Sequence, residues 1–280
     1  MSAFQERFFT TRDGLRLYYR DYAGPSGRPP ILCLAGSTGT VRNYAEMAPH
    51  WAKVRRVLCM DWRGHGRSDY DPDYRHYGFQ TDADDVLELL RHEQIDRIVL
   101  IGSSRGGIIA MVLAEQRPEV LAGVVMNDIG PATAGSGRQR LNNNMQVPRS
   151  FASFDEAGAF MKATQVPGVT FTEAEWTQRA TEFYRRREDG HIRADVDFGY
   201  IKAFVLIPPR DQWTQFDAMR GMPVLVVRGA LSDILDGPLL EEMKRRKPDL
   251  SSVVVAGRAH CPTLAEPEAR EAVDRFLVGV

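Results

Sequence analysis

The chain has 280 residues, with 36 Lys and Arg against 37 Asp and Glu, so its formal net charge of −1 offers no overall positive field to nucleic acid or an anionic membrane. Hydrophobic residues make up 43% and charged residues 26%, proportions typical of a globular protein, and the length allows one large domain with an insertion. We therefore expect a small-molecule partner, and neither nucleic acid nor a membrane.

The spacing of the cysteines and the N-terminal sequence indicate the cellular compartment in which we expect the protein. Cys33, Cys59 and Cys261 show no CxxC spacing, which predicts neither a disulfide framework nor a zinc site. The start of the chain lacks a basic segment followed by an apolar one, and no apolar run approaches the roughly 18 residues of a membrane span. The sequence thus predicts a cytoplasmic protein. Its densest basic run, 185–187, lies in a charged stretch typical of a solvated helix face.

Short strand-like segments alternate with helix-length ones along the chain. The first, 16–23, alternates and is rich in tyrosine, as a half-exposed strand would be. The later ones are nearly continuous apolar runs bounded by turn residues, at 29–36, 55–61, 97–102, 121–128, 223–229 and 250–257. Helical patterns such as 81–93 separate them. This alternation predicts an α/β fold whose mostly parallel sheet is covered on both faces.

The alternation stops between strands 121–128 and 223–229. Residues 132–221 carry no strong buried-strand signal, but they contain a polar stretch and several amphipathic helix candidates. Two capping boxes, at Ser153 and Thr172 with a glutamate three residues later, predict helix starts. We therefore divide the chain into a core, 1–131 with 222–280, and a helical cap insertion, 132–221.

A G-x-S-x-G motif follows the strand 97–102. It occupies 102–106 with Ser104 in the central place, and an apolar helical pattern comes after it. A tight turn from strand to helix exposes the central hydroxyl at the carboxyl end of the strand, and the flanking glycines give the backbone room. The register therefore selects Ser104, rather than Ser103, as a candidate nucleophile.

A serine hydroxyl needs a base to take its proton, and the base needs a carboxylate to orient it. His260 comes directly after the last strand, where a parallel sheet places functional residues. Two carboxylates compete for the third role. Asp233 follows the strand 223–229 and gives the chain order Ser…Asp…His, whereas Asp128 ends the strand 121–128. We favour Asp233 and keep Asp128 as the alternative acid.

Four motifs together resemble the α/β-hydrolase family, in its single-domain form with a helical cap. They are LAGSTGT, DWRGHGRSD, GSSRGG and GRAHCPTLAEPE, after the third, fourth and fifth strands and near the end of the chain. The resemblance implies a mostly parallel sheet of about eight strands with a cap inserted after strand 6. It also implies Ser104 as nucleophile, His260 as base and Asp233 as acid.

The resemblance further implies an oxyanion hole of two backbone N–H groups. One belongs to the residue after the nucleophile, here Arg105, and the other comes from the loop after the third strand, here Ser37. Many members of the family carry His-Gly before that second donor, where this chain has Ala35-Gly36. For the Arg105 side chain we favour a surface salt bridge over holding the cap or steering an anionic substrate. For the loop DWRGHGRSD, which includes His65, we expect a structural role.

Candidate pocket residues come from both parts of the chain. Gly36 and Thr38 lie in the oxyanion loop, and Trp176 and Trp213 in the insertion could line an apolar pocket. No metal or organic cofactor is implied.

The expected reaction is hydrolysis of a small carboxylic ester or lactone through an acyl-enzyme on Ser104. Family members with an aspartate nucleophile are disfavoured by the serine. Carbon–carbon bond hydrolases of ring-cleavage products stay open, although many carry tryptophan where Cys261 follows His260 here. Cofactor-free haloperoxidase-like members share the triad. The alternative from a different functional class is a non-catalytic protein of the same fold that only binds a ligand.

Overall fold

The computed structural model describes residues 4–133, 135–145, 149–206 and 211–280. Its strands in chain order are β1 (Gln5–Thr10), β2 (Arg16–Tyr22), β3 (Ile31–Leu34), β4 (Val57–Met60), β5 (Ile98–Ser103), β6 (Leu121–Asn127), β7 (Tyr184–Arg186), β8 (Ile192–Ala194), β9 (Val224–Gly229) and β10 (Ser251–Val255). Its α-helices are α1 (Met47–Trp51), α2 (Phe79–His92), α3 (Arg105–Gln116), α4 (Gly135–Met145), α5 (Phe154–Ala163), α6 (Glu173–Phe183), α7 (Phe198–Leu206), α8 (Trp213–Asp217), α9 (Gly237–Arg246) and α10 (Pro267–Val278).

Eight of these strands form one sheet in the order β1-β2-β4-β3-β5-β6-β9-β10. The pairs from β4 to β10 are parallel, whereas β1 and β2 are antiparallel to their neighbours. The predicted α/β fold is confirmed, and each predicted strand segment overlaps one strand of this sheet. The sequence pattern missed β1, because most side chains of this edge strand are exposed and it carries no buried apolar run.

The unbroken apolar strands are explained by cores on both faces of the sheet. All four residues of β3 are buried. Leu32 and Leu34 pack into the core that includes residues of α2 and α3, while Ile31 and Cys33 point to the opposite core, which includes residues of α1 and α10. Successive side chains of a strand point to opposite faces, so a strand covered on both sides has no position for a polar residue.

The two predicted helix starts in the insertion are confirmed. Ser153 precedes α5, and its hydroxyl accepts a hydrogen bond from the backbone N–H of Glu156 at 3.1 Å. Thr172 precedes α6 and makes the full reciprocal pair with Glu175, whose carboxylate accepts from the Thr172 N–H at 2.7 Å. Each cap satisfies an N–H group that has no partner within its own helix.

The basic run 185–187 does not form a solvated helix face, and this expectation was wrong. Arg185 and Arg186 belong to β7, which pairs with β8 in a small antiparallel sheet. The guanidinium groups of Arg185 and Arg187 lie 2.8 and 3.4 Å from a carboxylate oxygen of Asp195, which is fully buried. Two of the three arginines therefore pair with a buried carboxylate, while Arg186 is exposed.

Asp195 joins the insertion to the core. Its other carboxylate oxygen accepts a hydrogen bond at 2.7 Å from Arg42, a residue of the core loop after β3. Its backbone carbonyl accepts from the N–H of Gly66, and Arg185 donates to the Gly66 carbonyl at 2.8 Å. A single buried carboxylate thus holds arginines from both sides of the junction.

Replacing Asp195 by alanine should lower the free energy of unfolding by about 3–5 kcal/mol, because it leaves arginine charges without their buried partner. Urea unfolding followed by circular dichroism measures this change. Asp189→Ala is the matched control, since Asp189 makes an exposed pair with Arg193 at 2.7 Å and should cost under about 1 kcal/mol. Equal destabilisation by the two variants would contradict the anchoring role of Asp195.

The insertion between β6 and β9 contains α4 to α8 and the β7–β8 sheet. Its last helix, α8, packs on α3, and Trp213 contacts the core cluster on that face of the main sheet. The division at 132–221 stays a prediction. None of the helices in the described ranges combines the length and apolarity that crossing a membrane requires.

Candidate active site

Ser104 lies at a sharp turn between β5 and α3. Its backbone has φ of 50° and ψ of −111°, a left-handed conformation that is strained for a residue with a side chain. The two glycines of the motif permit this turn because neighbouring backbone atoms lie where a side chain at either position would begin. A Cβ atom on Gly106 would lie 2.2 Å from the carbonyl oxygen of Leu34, and one on Gly102 would lie 2.3 Å from the carbonyl carbon of Gly106. The G-x-S-x-G pattern is thus required by packing around the serine.

A chain of hydrogen bonds connects Ser104 to His260 and Asp128. The Oγ atom of Ser104 lies 2.9 Å from Nε2 of His260, and Nδ1 of His260 lies 2.8 Å from Oδ2 of Asp128. Neither the His260 side chain, 6% exposed, nor that of Asp128, 0% exposed, is open to solvent. This is the geometry in which a carboxylate orients an imidazole and the imidazole accepts the serine proton.

The preference for Asp233 as the acid was wrong in this structure. Asp233 makes a bidentate ion pair with Arg140, at 2.7 and 2.8 Å, and the imidazole of His260 contacts Asp128 instead. Both aspartates follow a strand that ends at the same edge of the sheet, so strand position could not separate them. The chain-order argument then selected the aspartate that pairs with an arginine of α4.

Asp128 is held firmly in this orientation. Its Oδ1 accepts from the N–H of Gly229 at 2.7 Å, and its Oδ2 accepts from the hydroxyl of Ser232 at 2.5 Å. Its own backbone has a φ of 57°, which directs the side chain across from β6 to the end of β9. The bonds from β9 and the following turn fix the carboxylate that faces His260.

Ser103, the neighbouring serine, has a different environment. Its hydroxyl lies 3.1 Å from the hydroxyl of Tyr44 and 3.0 Å from the amide nitrogen of Asn127. These bonds connect β5 to the loop after β3 and to β6. Ser103 therefore acts as a structural link, whereas Ser104 is the serine in contact with a histidine.

The two predicted oxyanion donors lie beside Ser104. Arg105 is the first residue of α3, so its N–H has no acceptor within its own helix. Ser37 borders both cavities that reach Ser104, and its carbonyl oxygen lies 2.9 Å from Nε2 of His65. Nδ1 of the same ring lies 3.0 Å from the carbonyl oxygen of Arg63, so His65 connects two loops and has a structural role. The oxyanion role of Ser37 and Arg105 stays a prediction.

The side chain of Arg105 is buried, so the expected surface salt bridge was wrong. It is 1% exposed and donates from Nε to Asp82 of α2 at 2.7 Å. Its guanidinium also lies 4.3 Å from the ring centre of Tyr200, a residue of α7 in the insertion. Arg105 therefore connects α2, the serine turn and the cap.

Two cavities meet at Ser104 and Ser37. The larger, about 270 Å³, which we call the main cavity, extends between the sheet and the insertion and is also bordered by Gly36, Thr38 and His260. The smaller, about 70 Å³, which we call the side cavity, is mostly apolar. The structure thus brings Gly36 and Thr38 to the cavity next to Ser104, as the sequence predicted for a pocket.

The tryptophans do not line either cavity, contrary to the expectation. Trp176 is 2% exposed and packs its ring 5.0 Å from that of Phe171. Trp213 packs against Phe216 in the core, and its outer face contacts Arg246. The aromatic residues that border the main cavity are instead Tyr44, Phe160, Phe183, Tyr184 and Phe204.

One group of side chains has the spacing of metal ligands within the described ranges. Asp13, Asp71 and His76 bring one ligand atom each within 4.8 Å of one another. Arg63 already pairs with Asp13 and Asp71, at 2.9 and 2.8 Å, and supplies the positive charge that a cation would bring. None of these residues borders the main or the side cavity.

Comparison with known proteins identifies the family of this chain. The α/β-hydrolase fold family model matches residues 29–267. A 3-hydroxybutyrate-oligomer hydrolase from Cupriavidus necator is 27% identical, over 94% of this chain and 93% of that protein. The crystal structure of an α/β hydrolase from Novosphingobium aromaticivorans is 34% identical, covers 100% of both chains and superposes with a TM-score of 0.95.

A more distant structure shows the same fold. The crystal structure of E-2-(acetamidomethylene)succinate hydrolase is 23% identical, with 98% of this chain and 99% of that one covered and a TM-score of 0.83. The family match spans both parts of the core and the insertion between them. The chain therefore belongs to the α/β-hydrolase family.

Proposed function

We propose that the protein is a serine hydrolase that cleaves a small carboxylic ester or lactone through an acyl-enzyme on Ser104. The observation that carries the proposal is the hydrogen-bond chain from Ser104 through His260 to Asp128. The relative from Cupriavidus necator, named for hydrolysis of 3-hydroxybutyrate oligomers, adds support for an ester bond as the target.

The reaction proceeds in two halves. Nε2 of His260 takes the proton of Ser104 as Oγ bonds to the substrate carbonyl carbon, and the N–H groups of Ser37 and Arg105 stabilise the oxyanion, each by about 3 kcal/mol. The tetrahedral intermediate collapses, and the leaving alkoxide receives the proton from His260. A water molecule then gives its proton to His260 and attacks the acyl carbon, and Ser104 recovers its proton as the acid leaves.

The two cavities suit the two halves of an ester. Both reach Ser104 and Ser37, so a carbonyl held there has room on either side. The side cavity, with Ile108, Ile129 and Ile234 at its border, would take the smaller apolar portion. The main cavity would take the larger and more polar portion.

Turnover of a substrate panel tests the proposed function. Wild-type protein should hydrolyse p-nitrophenyl butyrate or a small lactone, and Ser104→Ala should not. Preferred cleavage of a dienoate ring-cleavage product would favour a carbon–carbon bond hydrolase instead. Peroxide-dependent halogenation without ester turnover would favour the haloperoxidase-like alternative. Absence of turnover with every compound would favour a ligand-binding member.

The pH dependence of kcat/KM tests the role of His260. Burial opposes protonation of the ring, but the Cys261 sulfur, 3.4 Å from Nε2, and the Asp128 carboxylate outweigh it and raise the pKa above the usual value of 6.5. Only the neutral ring accepts the serine proton, so kcat/KM should fall as pH drops through this raised pKa. We expect a midpoint above 6.5 that moves down in Cys261→Ala. A wild-type midpoint below 6.5 would contradict this account.

A further inference from the structure

Arginine side chains border the main cavity on the side of the insertion. Arg140, Arg149 and Arg179 all reach it, and Glu182 is the acidic side chain that borders it within the described ranges. The whole chain has a formal net charge of −1, so this concentration of positive charge is local. A positive cavity that is partly closed to solvent attracts an anionic ligand.

The three arginines differ in whether an acidic side chain neutralises their charge. Arg140 makes the bidentate pair with Asp233 and is neutralised by it. The structure records no ion pair for Arg149 or Arg179 with any residue that it describes; Arg149 lies over the ring of Phe160, 4.2 Å from its centre. Two cationic groups of the cavity wall therefore retain their charge.

Arg179 has the more constrained environment of the two. Its guanidinium lies 4.8 Å from the ring centre of Phe171 and 5.8 Å from that of Phe183, which hold the group between apolar surfaces. Its Nε is buried and has no hydrogen-bond partner in the part of the chain that the structure describes. A buried N–H without an acceptor costs free energy, which a ligand that supplies the acceptor would recover.

Glu182 does not cancel this charge at neutral pH. Burial raises the pKa of its carboxyl to about 7, although Arg179 and a 3.4 Å contact from the Asn43 amide favour the ionised form. The carboxyl is therefore only partly ionised near pH 7. The wall around Arg149 and Arg179 keeps a net positive charge.

We propose that the substrate carries a carboxylate besides the bond that is cleaved, and that Arg179, assisted by Arg149, binds this carboxylate. The proposal rests on the proposed function, because it places the ester carbonyl at Ser104. The sheet supplies the reacting groups of the cavity and the insertion supplies these two arginines. Guanidinium groups bind carboxylates through paired, charge-assisted hydrogen bonds, which gives orientation as well as affinity.

A matched pair of substrates tests this assignment. One is the linear ester dimer of 3-hydroxybutyrate with its free carboxylate, and the other is the same dimer with that carboxylate converted to a primary amide. Wild-type protein should hydrolyse the acid with a kcat/KM at least about ten-fold higher. Arg179→Gln should lose about 10- to 100-fold on the acid, mainly through KM, and little on the amide.

Two further variants and one neutral ester complete the test. Arg149→Gln should give a smaller loss, also confined to the acid, and Arg270→Gln, an exposed change on α10, should change neither substrate. Equal turnover of acid and amide, or equal losses on both in Arg179→Gln, would overturn the proposal. Hydrolysis of p-nitrophenyl butyrate without hydrolysis of either dimer would also overturn the proposal. That result would leave the proposed serine-hydrolase function intact. If no ester is cleaved, both fail together.

Discussion

Asp128→Asn should lower kcat for ester hydrolysis by about 10⁴-fold. The asparagine oxygen can still accept from the N–H of Gly229, which donates to Asp128 at 2.7 Å, so the fold around β6 and β9 should survive. The loss arises at His260, because an amide N–H facing Nδ1 stabilises the wrong ring tautomer and cannot stabilise the imidazolium. Steady-state kinetics with p-nitrophenyl butyrate measure this effect.

Asp233→Asn is the matched control. Its carboxylate pairs with Arg140 at the border of the main cavity, so we expect a change in KM and a kcat within about ten-fold of wild type. If kcat were nearly normal in Asp128→Asn and collapsed in Asp233→Asn, the acid of the triad would be Asp233, as the chain-order argument predicted.

The second large effect is expected at the serine pair. Ser104→Ala should lower kcat by about 10⁶-fold, to the residual rate that binding and the oxyanion donors support. Ser103→Ala should keep kcat within about ten-fold of wild type, because its hydroxyl contacts Tyr44 and Asn127 rather than His260. It should instead lower the free energy of unfolding by about 1 kcal/mol per hydrogen bond lost.

The same kinetic assay and a thermal unfolding measurement separate the two roles. Ser104→Ala should unfold close to the wild-type temperature, since the Ser104 hydroxyl makes its one hydrogen bond within the described ranges to His260. Collapse of turnover in Ser103→Ala with normal turnover in Ser104→Ala would show that the motif register selected the wrong serine.

The main sheet could be predicted well from the sequence because its strands are covered on both faces. A fully apolar run such as that of β3 is stable only in a strand that is buried on both faces. Once the strands are assigned, Ser104 and His260 are seen to follow two of them. The helix starts at α5 and α6 were predictable for a local reason, because a cap involves residues only three apart.

The acid could not be chosen from the sequence because the choice depends on side-chain direction. Asp128 turns toward His260 through its left-handed backbone and its bonds to Gly229 and Ser232, and none of these leaves a local sequence signal. Asp233 is drawn to Arg140, more than ninety positions earlier in the chain. Long-range pairs of this kind appear only when the elements are packed.

The insertion was predicted least well, for a related reason. Arg185 of the short strand β7 and Arg187 just after it bind the buried Asp195, but in the sequence their charge is typical of a solvated surface. Trp176 and Trp213 are apolar enough for a pocket, but each packs against a neighbouring phenylalanine instead. Composition alone does not distinguish an aromatic residue of a core from one of a cavity wall.

The most direct test of a Ser104 nucleophile is the site of covalent labelling by a fluorophosphonate. Intact-protein mass spectrometry should find one adduct per chain, and peptide mapping should place it on Ser104. The adduct should be absent in Ser104→Ala, present in Ser103→Ala and formed far more slowly in Asp128→Asn. Absence of an adduct on folded wild-type protein, or equal labelling of Ser104→Ala, would contradict the serine-hydrolase account.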